Sequence, residues 1–94
     1  MVIGLLTIDL QVPASESLKD KRQVIRSVVT RLRQEYNISV AEIDHLDSWQ
    51  LSTLAVACVS AEAIHAQQMM QQVVSAIHGR AIEYVVLDVQ TELL

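Results

Sequence analysis

The sequence predicts an α+β domain made of two strand–helix–strand halves, and three observations predict it. Residues 2–12 alternate with the period of two that marks a strand. Two longer segments, around 18–36 and 61–78, repeat their apolar residues at the 3.6 spacing of a helix. Turn and capping residues divide the chain into six elements in the order βαββαβ.

The first element, VIGLLTIDLQV, puts Val2, Gly4, Leu6, Ile8, Leu10 and Val12 on one face. Its other face, Ile3, Leu5, Thr7, Asp9 and Gln11, starts apolar and ends polar. Pro13 stops the strand, because proline has no N–H for a ladder. Ser17-x-x-Asp20 is a capping pattern ahead of a helix whose apolar face carries Leu18, Ile25, Val28, Val29, Leu32 and Tyr36. Asn37 is placed to end that helix in the left-handed conformation. ISVAEI is a second strand, DHLDSW a turn with Asp at both ends of its first four residues, and QLSTLAVACV a third strand.

Ser60 is expected to cap the second helix, with Glu62 in its first turn. Ala66, Met69, Met70, Val73, Val74 and Ile77 form its apolar face, and Gln67, Gln68, Gln71 and Gln72 much of its polar one. Gly79 is a stop, and AIEYVVLDV is the last strand. Two βαβ halves with right-handed crossovers give a four-stranded antiparallel sheet, order 4-1-3-2, with both helices on one face. This is the ferredoxin-like sandwich, expected as a single domain over residues 1–94. It leaves Ile3 and Leu5 on an uncovered sheet face, which calls for a covering partner, most simply a second copy in a homodimer.

Composition narrows the setting. The lone cysteine, Cys58, sits in the apolar run LAVACVS, where a small buried hydrophobe is expected, and it excludes an internal disulfide or a C-x-x-C site. No apolar run approaches the roughly 18 residues of a membrane span, and Asp9 interrupts an N-terminus that lacks a basic region. A cytoplasmic protein with no membrane partner is the expectation.

Charge is distributed unevenly. The chain carries −4 overall, yet six of its seven basic residues lie between 19 and 33. That segment has six positive charges against Asp20, a net of +5; the rest has Arg80 against ten acids, a net of −9. With Ile25 at zero on a helical wheel, Arg22 falls at about 60°, Arg33 at about 80°, Arg26 at about 100° and Lys19 at about 120°. These four make a stripe of roughly 21 Å along one flank of the buried face, with Lys21 and Arg31 assigned to the other flank. A stripe of fixed cations suits a backbone of phosphates. A solvated helix paired with neighbouring acids has the same composition.

The topology brings the PASESLKDKR corner and the DHLDSW loop to one end of the domain. Lys19, Lys21, Arg22, Asp44, His45, Asp47, Trp49, His78 and Arg80 are expected there. Asp44, His45 and Asp47 carry ligand types that suit zinc or manganese, and His45 beside an aspartate is the make-up of a general base. Three candidates within four residues do not converge readily on one ion, and no nucleophile or oxyanion-hole motif accompanies them. The expectation is therefore no metal, no cofactor and no catalytic residue. Asp44 and Asp47 are read as turn caps that pair with Lys21 or Arg22. Trp49 is read as a pin for the loop or an interface, or as a stacking platform for a base. Glycine-rich phosphate loops are absent, and the two central strands lack the aromatic residues on which RNA-recognition sheets stack bases.

At SLKDKR and VAEIDHLDSW, and along the whole chain from VIGLLTIDLQVP to the terminal ELL, the sequence resembles the YlxP-like family of small bacterial proteins of unknown function. The resemblance implies a ferredoxin-like fold. It also implies a gene setting among translation-initiation and ribosome-maturation factors, hence association with RNA or a ribosomal particle. It supplies no catalytic residues. The site expected from charge and topology is Lys19, Lys21, Arg22, Arg26 and Arg33, with His45 and Trp49 at its edge. The rival readings are a small-anion or protein-interaction module, and an enzyme built on the Asp44-His45-Asp47 loop.

Overall fold

A computed structural model describes residues 1–94. The elements are β1 (Val2–Gln11), α1 (Leu18–Glu35), β2 (Ser39–Asp44), β3 (Leu51–Ser60), α2 (Ala63–Gly79) and β4 (Val85–Leu93). The strands form one antiparallel sheet in the order β2-β3-β1-β4, which is the ferredoxin-like α+β sandwich that the sequence predicts.

Period-two alternation in β1 sends Leu6, Ile8 and Leu10 to the helix-covered face. There they join Leu54, Val56 and Cys58 of β3, Val40 of β2, Ile25 and Leu32 of α1, and Ala66, Met70, Val73 and Ile77 of α2 in one buried cluster. Each Val, Leu, Ile or Met side chain among them contributes about 1.5–3 kcal/mol by leaving water. Gly4 leaves room for its neighbours on β3 and α2: a Cβ there would meet Cys58 Sγ at 3.0 Å and Met70 Sδ at 3.1 Å. Cys58 is buried in this packing, as its apolar surroundings imply. No helix is long and apolar enough to cross a membrane.

Ser17 caps α1 as expected: its Oγ accepts from Asp20 N at 3.0 Å, while Asp20 Oδ2 accepts from Glu16 N at 3.1 Å. Other ends depart from expectation. Helix α1 ends where Tyr36 turns extended, with its N–H donating to Leu32 O, and Asn37 is not left-handed. Glu62, not Ser60, is the N-cap residue of α2; Ser60 Oγ accepts from the Glu62 N–H one step earlier. Strand β4 begins at Val85, because Tyr84 is drawn into the core and its hydroxyl donates to Ile77 O at 2.6 Å. It continues to Leu93, four residues beyond the expected Val89. Register shifts at Asp9/Leu10 against β4 and at Glu42/Asp44 against β3 leave Leu87 and Ile43 as extra, exposed residues.

The second sheet face is open. Its apolar end holds Ile3 opposite Val59 and Leu5 opposite Ala57. Ile3 and Leu5 are half-buried by these neighbours and not fully exposed, whereas Val59 is 69% exposed. Toward the other end Asp9 stands opposite Asp88, and Asp9 Oδ1 accepts from Thr53 Oγ1 at 2.7 Å.

Candidate functional site

The corner between β1 and α1 and the β2–β3 hairpin loop are locked together, and Lys21 is the lock. Its side chain is fully buried. Nζ donates to Glu42 Oε2 at 2.9 Å, to His45 O at 2.9 Å and to Leu51 O at 3.2 Å, which commits all three ammonium protons. Glu42 Oε2 also accepts from Ser52 Oγ at 2.6 Å. Lys21 is therefore not an anion contact, contrary to the expectation from sequence. Its partner is Glu42, and neither Asp44 nor Asp47 forms an ion pair.

The loop has its own internal order. His45 is the one non-glycine residue with positive φ, at 60°, a conformation in which histidine is enriched. Its N–H donates to Asp44 Oδ1 at 2.7 Å, so Asp44 is a turn cap as expected, and its carbonyl accepts from Ser48 N at 3.0 Å as well as from Lys21. Ser48 Oγ accepts from Leu51 N at 2.9 Å. Gln50 ties the loop to the opposite corner, donating from Nε2 to Pro13 O at 3.2 Å and Ser15 O at 3.3 Å. With its backbone fixed, the loop turns its side chains outward: Leu46 is 52% exposed, Trp49 is 59% exposed, and the His45 imidazole is free of protein hydrogen bonds. Trp49 thus does not pin the loop. Ile43, pushed out by the β2 bulge, adds to this apolar rim. No group of three His, Cys, Asp or Glu side chains stands where it could hold a metal ion.

Beside the loop runs the basic flank of α1. Lys19, Arg22 and Arg26 are exposed and have neither a hydrogen-bond nor an ion-pair partner in the chain. Arg33, the fourth member of the stripe, is exposed but its guanidinium is partly engaged: Nη2 donates to Val40 O at 2.7 Å on edge strand β2. Arg80 does not join this end of the molecule, because its guanidinium turns back to Glu35 in the last turn of α1. That carboxylate holds the guanidinium proton more firmly than usual.

The arrangement is a row of three unpaired cations at i, i+3 and i+7 on a rigid helix, next to an exposed aromatic and aliphatic loop. It offers fixed charge and a stacking surface. Sequence reasoning missed Ile43 and Leu46, and it took Lys21, set on the flank opposite the stripe, for an exposed anion contact.

A sequence model of the family described as "Protein of unknown function (DUF503)" matches residues 3–91. The uncharacterized protein YlxP of Bacillus subtilis (strain 168) is 30% identical to the chain over 76 residues, 81% of this chain and 83% of that protein.

Proposed function

The chain belongs to the DUF503 family of proteins of unknown function, and from that premise we propose that it is a non-enzymatic cytoplasmic protein that associates with RNA in a ribosomal particle through α1. The observation that carries this reading is the unpaired state of Lys19, Arg22 and Arg26 in an otherwise acidic molecule. A stripe paired with acids on neighbouring elements would show ion pairs, and this one shows none: Glu42 and Glu35 are taken by Lys21 and Arg80, and Asp44 and Asp47 form no pair with it. Phosphates are the complementary anions, and the exposed Trp49 ring and His45 imidazole, on the loop that Lys21 ties to α1, suit an unstacked base. The acidic remainder of the surface repels a polyanion and so orients the approach.

In this reading a second copy covers the open sheet face. Ile3, Leu5 and Val59 form its apolar end, and a two-fold axis through that end would pack the patch on itself.

The test is the salt dependence of binding to small-subunit RNA. Three phosphate contacts give a slope of log affinity against log salt of about −2 to −3, so a fourfold rise in salt weakens binding roughly twentyfold or more. A salt-independent interaction would count against phosphate contacts and against any partner held by these three cations.

A further inference from the structure

We propose that the cavity between α1 and α2 binds a small aromatic monocarboxylate. The cavity measures about 140 Å³ and is walled by Val28 and Leu32 of α1, Ile77 of α2 and Tyr84 from the corner that follows it. That volume is on the scale of one ring, in a cleft that is partly open to solvent and has both apolar and charged side chains in its lining. Tyr84 closes one wall firmly, since it is buried and its hydroxyl is spent on Ile77 O.

Arg31 lies at the lining and makes no hydrogen bond or ion pair within the chain. The other arginine at the cavity, Arg80, is engaged with Glu35. Both arginines line the cavity with Tyr84, whose phenol is pushed up by burial and drawn back by their positive charges. One planar guanidinium is thus free beside an apolar, ring-sized space, and a carboxylate is the anion its fork matches bidentately. Glu83 also lines the cavity and forms no ion pair, so it opposes any anion there and a dianion most. Arg31 lies across the helix from the Lys19, Arg22 and Arg26 stripe, so this site stands apart from the proposed RNA surface.

The test titrates the full chain with benzoate, and with benzyl alcohol and phthalate as comparators, following amide shifts around the cavity by NMR. Benzoate is expected to bind saturably, with shifts centred on Ala76, Ile77 and Tyr84, and both comparators at least about tenfold more weakly. Arg31→Gln, a substitution at an exposed position, should cost benzoate about tenfold and leave benzyl alcohol unchanged. Val28→Phe, which fills the space with a ring, should abolish both, with circular dichroism confirming that each variant is folded. The proposal is overturned if folded wild type shows no saturable shifts at tens of millimolar benzoate. It is equally overturned if benzyl alcohol binds as well as benzoate, or if Arg31→Gln leaves benzoate binding intact.

Discussion

Lys21 sits at the spacing Leu18, Lys21, Ile25, Val28, Leu32, which is the periodicity of the buried stripe itself. On the wheel it lies only about 40° from Ile25. That angle is the signal that could have shown it turned inward, and composition, which counts it as one more cation, hides it. What the sequence does not carry is the partner: Glu42 is 21 positions away, and only the β2 register turns it toward the helices. A buried ammonium whose carboxylate is removed, or the reverse, is left uncompensated in a poor dielectric. Lys21→Ala is therefore expected to destabilise the fold by about 3–5 kcal/mol in urea denaturation, whereas replacing the pair together, Lys21→Met with Glu42→Leu, should cost far less. A double-variant cost equal to the sum of the separate Lys21→Met and Glu42→Leu costs would mean that the pair is not coupled as described.

The elements themselves were legible where a local rule decides them. Alternation in β1 and the Ser17–Asp20 cap of α1 act within a few residues, so sequence and structure coincide there. Substituting Ser17→Ala removes the Oγ acceptor for Asp20 N and should lower stability by about 1 kcal/mol, measured as a shift in the denaturation midpoint with an unchanged slope. Element ends set by tertiary contacts were not legible. Tyr84 reads as strand by propensity, yet its ring fills a gap at the end of α2. Asn37 has the chemistry of a left-handed stop, but Tyr36 has already left the helix in extended form. The bulges that expose Ile43 and Leu87 arise from fitting neighbouring strands and have no mark in either strand alone. The left-handed residue is instead His45, held by Asp44, Ser48 and Lys21 together.

At the scale of the whole molecule, the net +5 of residues 19–33 against −9 elsewhere becomes a surface property only once the structure shows which cations are free. Lys21 is buried, Arg80 is paired and Arg33 is tied to β2, which leaves Lys19, Arg22 and Arg26 as the unpaired part of the predicted stripe. The opposite side of the sheet ends in an apolar patch, and Leu5→Lys there is expected to shift the mass measured by light scattering from dimer to monomer without unfolding the chain. A wild-type protein that is monomeric at high concentration would remove the second copy from the account.

The central claim is that the free flank of α1 is an RNA surface. Its most direct measurement is the affinity of wild type and of the Lys19→Glu, Arg22→Glu, Arg26→Glu triple variant for small ribosomal subunits, at low and moderate salt. These three side chains are exposed and unpaired, so their reversal should leave folding intact. The account predicts salt-sensitive binding by wild type and its loss in the variant. Equal binding by both proteins, or binding by neither, would contradict it.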